Sequence, residues 1–419
     1  MNSMSMEVEK VKKPKRVNLR TPEVMELVQA QVAEHYRSQV VELFRANGGI
    51  VSRGGVTVRL AKEFGFCYGV ERAIDLAYAA RKVFKEQRIF ILGEIIHNPE
   101  VNEQLKSMNI ENLLGEDHVA NLEILTPEDV VIVPAFGAEV ELVKNIREIG
   151  CQIVDTTCGD VMSVWKRVRQ NSRDEATSII HGKAEHEETR ATSSHAVGDG
   201  SGHYLVVLNL EETDYVCQYI VNGGDRQEFL GKFKGAMSEG FNPDVHLKRV
   251  GVANQTTMMR GETEEVQRRI YEAIRQRDGD EEKAKENYRF FDTICGATQE
   301  RQNALEMMLK EPMDLLLVVG GYNSSNTSHL AEMGEVVLPT YFIRNATRMD
   351  SAENITHYNL HQKQEIQTKN WFPKLPVIVG VTAGASCPNN LIEETILRVF
   401  ELGGVDRDDV LRSTGIQTD

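Results

Sequence analysis

The sequence predicts an α/β protein: three related α/β units with mainly parallel sheets, arranged around a shared central site. Three observations carry this. From Val56 onward, short β-branched runs alternate with helical patterns, as expected of βα units that build parallel sheets. The stretch Asp155-Thr156-Thr157-Cys158-Gly159 returns in near copy as Asp292-Thr293-Ile294-Cys295-Gly296. Cys67 stands in related surroundings, between a strand-like run at 56–60 and a helical run that begins at Val70.

Taken in order, the chain opens with mixed charge through residue 20. Glu7 and Glu9 lie among lysines, and there is no apolar core of a secretory signal. The acids also argue against a transit peptide. Met25, Val28, Val32, Tyr36, Val40 and Phe44 follow at steps of three and four, which predicts one amphipathic helix over 22–44, stopped by Gly48-Gly49. Buried strands are expected at 56–60, 88–92, 130–133, 178–180, 204–208, 249–253, 314–319 and 377–381. Helices are expected at 138–149, 161–170, 262–275, 297–309 and 391–402. The resulting partition is a helical extension over 1–55, a first unit over 56–155, a second over 156–290 and a third, with the C-terminal segment, over 291–419. The longer interval between the second and third cysteines places an insertion near 199–244. The charged segment 278–285 reads as a solvated loop or helix end, and the polar run 350–370 as a surface excursion. His357 and His361 in that run are spaced for one helix face, and a solvated face is favoured over a metal pair.

Composition narrows the function. Hydrophobic residues make up 41% of the chain, enough for real cores, and the formal net charge of −15 argues against general nucleic-acid or anionic-membrane binding. No apolar run approaches the roughly 18 residues of a membrane span. Six cysteines in a long chain without a signal do not form a disulfide framework, so a reducing cytoplasm is the expected compartment.

Each cysteine context reads as strand, turn, cysteine, helix. A helix N-terminus carries partial positive charge and free N–H groups, which favour a thiolate. Three such turns suggest a shared metal site; the alternative is three buried structural thiols. Five further polar clusters stand at predicted strand ends, where α/β sheets place ligands. His97 follows the strand at 88–92 and reads as a cap, a core histidine or a site residue. His181, His186 and Glu188 follow the strand at 178–180 and offer proton donors and anion ligands, with a metal site conceivable. Gln255-Thr256-Thr257 follows 249–253, where hydroxyls commonly cap helices. Gly320-Gly321 leads into Asn323-Ser324-Ser325-Asn326, and Thr382-Ala383-Gly384-Ala385-Ser386 follows 377–381. Both read as anion sites built from N–H and OH groups, and two of them suit a diphosphate. Neither is a P-loop or a full Rossmann fingerprint.

Taken together, these motifs resemble the 4-hydroxy-3-methylbut-2-enyl diphosphate reductase (LytB) family, over roughly 56–400. The resemblance rests on Gly65-Phe66-Cys67-x-Gly69-Val70, Ile96-His97-Asn98-Pro99, Asp155-x-Thr157-Cys158 and His186-x-Glu188. It continues through Gln255-Thr256-Thr257, Asp292-x-Ile294-Cys295, Asn323-Ser324-Ser325-Asn326 and Val381 to Ser386. It implies a central [4Fe–4S] cluster held by Cys67, Cys158 and Cys295, with one open iron to take the substrate hydroxyl. It further implies a diphosphate held by His97, His186, Ser324, Ser325, Asn326 and Ser386, protons from Glu188, and Thr256 at the substrate hydroxyl. The implied electron donor is a ferredoxin or flavodoxin, and the products are isopentenyl and dimethylallyl diphosphates.

Phe136 departs from the histidine of many bacterial members and resembles the plant and cyanobacterial subgroup, as do the N-terminal extension and the long middle unit. A plant source would imply the plastid stroma in place of the cytoplasm. Cys151, Cys217 and Cys387 match no cluster position and read as ordinary thiols. Three other readings stand beside this one. A cluster enzyme similar to quinolinate synthase is disfavoured by the Ser-Ser-Asn and Gln-Thr-Thr motifs. A catalytically dead binding protein is disfavoured by the presence of Glu188 and all three cysteines. The third is a zinc-stabilised α/β protein.

Overall fold

The computed structural model describes residues 17–115, 119–198, 200–291 and 293–413. The first sixteen residues and Asp292 of the repeated motif therefore lie outside the described residues. Helix α1 (Pro22–Tyr36) and helix α2 (Gln39–Ala46) replace the single helix expected over 22–44. The backbone is extended at Arg37 and Ser38, and Ser38 Oγ accepts the Val41 N–H to start α2 afresh. A serine cap thus overrides a continuous apolar stripe. Gly48 and Gly49 end the segment at φ +74° and +75°, where glycine is favoured. Strand β1 (Ile50–Arg53), unforeseen in the extension, then pairs antiparallel with β2 (Val56–Leu60).

From β2 the chain tours three sheets and returns to the first. Helix α3 (Tyr68–Val83) crosses to a sheet built from β3 (Ile89–Ile91), α4 (Pro99–Ser107), β4 (Ile110–Asn112), β5 (Val130–Val133), α5 (Val140–Ile149) and β6 (Gln152–Asp155). Its order is β4-β3-β5-β6, all parallel. Helix α6 (Gly159–Arg173) crosses to β7 (Thr177–His181), α7 (Glu187–Val197), β8 (Tyr204–Val207), α8 (Leu210–Asn222), α9 (Arg226–Lys232), α10 (Pro243–His246), β9 (Val250–Asn254), α11 (Arg260–Asp278), α12 (Glu281–Asn287) and β10 (Tyr288–Phe290). This sheet, β10-β9-β7-β8, is also all parallel. Much of the expected insertion is α8 to α10, closed around Phe229, Phe233 and Phe241. Helix α13 (Gly296–Met308) returns to the first sheet through β11 (Leu315–Val319), α14 (Ser325–Glu335), β12 (Thr340–Ile343), β13 (Asn354–Asn359), β14 (Gln364–Lys369) and β15 (Val377–Ala383); α15 (Asn389–Leu402) and α16 (Arg407–Ser413) follow.

The first sheet is mixed, in the order β1-β2-β15-β11-β12-β13-β14. Its centre is parallel and buried: every residue of β11 is inside, which is why that strand reads as an unbroken apolar run. Two expectations change here. β2 does not open a separate first unit, because it pairs in parallel with β15, Val56 opposite Val377 and Leu60 opposite Val381. The run 350–370 is a β-hairpin at the sheet edge, with no helix face for His357 and His361. His357 sits on β13, its Nε2 2.8 Å from Thr368 Oγ1, and His361 lies in the turn. Among the described residues no helix is long and apolar enough to cross a membrane.

Candidate active site

Each cysteine of interest stands where the chain leaves one sheet for the next. Cys67, Cys158 and Cys295 are the N-cap residues of α3, α6 and α13, the three crossover helices. Their own amides tie them to other loops: Cys67 N–H donates to Ala385 O (3.3 Å), Cys158 N–H to Ala135 O (2.8 Å) and Cys295 N–H to Thr256 O (3.2 Å). Gly69 permits the close approach. A Cβ there would lie 2.6 Å from Cys158 Sγ and 3.9 Å from Cys67 Sγ.

A cavity of ≈ 120 Å³ lies between the crossovers, lined by Cys67, Cys158, Cys295, His97, His186, Glu188, Thr256, Ser324, Ser325, Asn326 and Ser386. The cysteine, histidine, Glu188, Thr256, serine and asparagine residues that the resemblance implies thus line one cavity, and His181 does not. The thiols differ from expectation in one respect. Burial pushes Cys158 upward and Cys295 to about 12, with the charges of Asp160 and Cys67 adding to it. Desolvation outweighs the helix N-terminus, which favours the thiol form of both sulfurs unless a cation stands beside them.

Glu188 is 3% exposed in the first turn of α7. Its carboxylate does not cap its own helix; it accepts the Thr256 N–H at 2.6 Å and the Thr256 Oγ1–H at 3.0 Å. The cap is His186, whose Nδ1 accepts the Glu188 N–H at 3.1 Å. Burial raises Glu188 to about 7 against the two Thr256 bonds, which pull the other way. The proton is thus held through the range where an ordinary carboxyl has lost it. One consequence is measurable without substrate. Because the folded value lies above the ordinary carboxyl value of 4.5, the protonated form stabilises the fold, and that contribution is lost as pH rises from about 4.5 through about 7. Thermal melts of the metal-free chain should show the parent losing more stability over that window than Glu188→Gln. Parallel curves would mean that Glu188 titrates as an ordinary carboxyl.

The opposite wall is built for an anion. His97 stacks face to face on Phe136 (centroids 4.7 Å apart, planes at 8°), and its Nδ1 lies 2.9 Å from Glu94 Oε2. The His97 and His186 rings meet edge to face at 5.0 Å. His97 Nε2, His186 Nε2, Ser325 Oγ and Asn326 Nδ2 are all buried without a hydrogen-bond partner. These four polar atoms line one cavity, with Ser325 opening α14, and are disposed to bind an anion. Ser324 and Ser386 are already engaged: Ser324 Oγ caps α14 through Thr327, and Ser386 Oγ donates to His97 O at 3.2 Å.

Other residues behave differently from the sequence expectation. His181 does not join His186 and Glu188 in a metal set; it is buried with Nδ1 2.8 Å from Thr263 Oγ1. Glu187 stands there instead, and offers a ligand atom near those of His97 and His186. Asp160, overlooked in the sequence, lines the cavity and accepts from Tyr68 OH at 3.1 Å. Its signal was an acid in the first turn after a cysteine. All six cysteines are free; Cys151 and Cys387 are buried elsewhere, and Cys217 lies on α8.

Comparison with known proteins identifies the family. Residues 58–400 match the family model described as LytB protein. The chain is 48% identical to 4-hydroxy-3-methylbut-2-enyl diphosphate reductase of Thermosynechococcus vestitus, covering 91% of this chain and 93% of that one. It is 49% identical to the Gloeobacter violaceus protein of the same name, over 90% of each. Among solved structures, an (E)-4-hydroxy-3-methyl-but-2-enyl diphosphate reductase described as the terminal enzyme of the non-mevalonate pathway aligns at 26% identity with a TM-score of 0.51, covering 82% of this chain and 99% of that one. The Plasmodium falciparum E-1-hydroxy-2-methyl-but-2-enyl-4-diphosphate reductase shares the fold, with a TM-score of 0.59 at 19% identity over 81% of this chain and 86% of that one. With the family model spanning most of its length, and relatives near half identity over nine-tenths of it, this chain belongs to the LytB family.

Proposed function

We propose that the chain is a 4-hydroxy-3-methylbut-2-enyl diphosphate reductase, converting the (E)-4-hydroxy substrate to isopentenyl and dimethylallyl diphosphates, the last step of the methylerythritol phosphate route. The observation that carries this is one cavity holding three cysteines at helix N-cap positions, a buried carboxyl that burial makes a weaker acid, and four polar atoms without hydrogen-bond partners. On this reading Cys67, Cys158 and Cys295 would hold a [4Fe–4S] cluster, three thiolates for four irons. When bound, the cluster supplies single electrons and an open Lewis-acidic iron for the substrate hydroxyl.

The chain's own residues do the rest. His97, His186, Ser325 and Asn326 donate to the diphosphate through the atoms that now lack partners. Ser324 and Ser386 join them by exchanging internal hydrogen bonds. Thr256 fixes the Glu188 carboxyl through two bonds, so its proton is presented at one place in the cavity. Two electrons and two protons replace the C–O bond by C–H and release water, and a proton added at either end of the allyl unit gives the two products. A ferredoxin- or flavodoxin-type protein supplies the electrons in the cytoplasm.

Product formation by anaerobically reconstituted protein, with a chemical reductant and the hydroxy-diphosphate, tests the activity. Both diphosphate products are expected; recovery of unchanged substrate from a fully loaded protein contradicts it. Ser325→Ala probes the anion wall separately. Ser325 Oγ has no role in capping α14, so alanine should leave the fold intact. A hydrogen bond to a charged group contributes about 1.5–3 kcal/mol, so substrate affinity should fall by roughly one to two decades. Unchanged affinity, measured by titration of the loaded protein, would remove Ser325 from the site.

A further inference from the structure

The three cysteines come from three crossovers between separate sheets, so no sheet hydrogen bonding fixes their mutual distance. Two arginines bridge the gap. Arg72, on the helix that Cys67 opens, donates through Nη1 to Thr156 O (3.2 Å) and Thr157 O (3.0 Å), the carbonyls just ahead of Cys158. Arg301, on the helix that Cys295 opens, donates through Nε (3.2 Å) and Nη2 (2.6 Å) to Gly65 O, just ahead of Cys67. Its remaining nitrogen, Nη1, bonds Ala297 O at 2.8 Å on its own helix. Each arginine thus ties one cysteine helix to the loop of another. The Cys295 loop is tied in turn by Cys295 N–H to Thr256 O, and by Thr293 Oγ1 to Asn254 Oδ1.

We propose that Arg72 and Arg301 are positioning residues that lock the three cysteine loops into one ligand set, and that Arg301 places a buried positive charge beside the anionic group those thiolates hold. This rests on the cluster reading given above. Arg301 is 4% exposed, and among the described residues its hydrogen bonds go to the carbonyls of Gly65 and Ala297. A guanidinium buried against carbonyls alone is costly unless a negative charge faces it. The negative groups acting on its charge are led by Cys67 and Cys295, with the more weakly felt Glu300 and Glu63 behind them. Three thiolates on a cluster carry net negative charge that grows on reduction, and a fixed cation favours the reduced form. Lysine would keep that charge but lose the planar fork; glutamine would lose both.

The test uses the parent, Arg72→Gln, Arg301→Lys and Arg301→Gln, each reconstituted anaerobically. It reads cluster bleaching by a chelator, the midpoint potential in a dye-mediated titration, and the melting temperature of the metal-free chain. Bleaching should quicken by roughly tenfold or more in all three variants, the scale of a lost charge-assisted hydrogen bond. The potential should fall in Arg301→Gln and stay near the parent in Arg301→Lys. If Arg301→Gln does not fold, the bleaching rates of Arg301→Lys and Arg72→Gln decide the matter. Parental bleaching rates and potentials in loaded variants overturn this proposal alone. Faster bleaching that merely tracks a lower melting temperature, with no shift of potential, overturns it too. A parent that takes up no cluster overturns the proposed function as well.

Discussion

Cys67→Ser, Cys158→Ser and Cys295→Ser should each yield a folded protein that fails to hold an iron–sulfur cluster and has lost its reductase activity. Serine is the better N-cap, since its hydroxyl accepts helix N–H groups, whereas none of the three cysteines makes a side-chain cap bond. The crossover helices should therefore survive the change. What disappears is a sulfur facing the cavity, and a hydroxyl does not replace a thiolate toward iron. Cys151→Ser, Cys217→Ser and Cys387→Ser should load as the parent does, although the buried Cys151 and Cys387 positions would lose some stability. Iron and sulfide per chain decide this. If Cys151→Ser emptied the protein while Cys158→Ser loaded it, the ligand assignment would be wrong.

Glu188→Gln should bind substrate normally, assemble the cluster and turn over slower by about 10²–10⁴-fold, the usual worth of a general acid. Glutamine keeps the volume, its oxygen can accept the Thr256 N–H, and its NH2 can donate to Thr256 Oγ1, so the site should hold its shape. It cannot release the proton that burial keeps on Glu188 up to about 7. The sign follows: with the acid form required, single-turnover rate in the parent should fall as pH rises through about 7. Pre-reducing the cluster keeps electron supply from masking the step. A Glu188→Gln protein reacting within a few-fold of the parent would take Glu188 out of the chemistry.

What the sequence made legible was local. Strands 130–133 and 56–60 are found at the expected residues, because four or five apolar or alternating residues between turns leave the backbone little choice. The cysteine turns were legible because strand, cysteine and helix follow one another directly in the chain. The corrections come from pairings distant in sequence. Nothing near Val56 announces that it will lie beside Val377. Nothing in 22–44 weighs a serine cap against an apolar stripe. Asp350 to Asn370 looked like loop because its strands lie on a sheet edge with half-exposed, polar side chains. In the site, residue identities were readable but their states were not. The upward push on Cys295 and Glu188 arises from burial by elements remote in the chain. Arg72 and Arg301 carried no motif at all; their role exists only once three sheets meet.

The most direct test of the account is the anaerobic absorption spectrum of the purified chain, taken with an iron, sulfide and zinc assay. The account predicts a brown protein with broad thiolate-to-iron absorbance and about four irons and four sulfides per chain, as a [4Fe–4S] cluster requires. A colourless protein carrying stoichiometric zinc on the same three cysteines would contradict it.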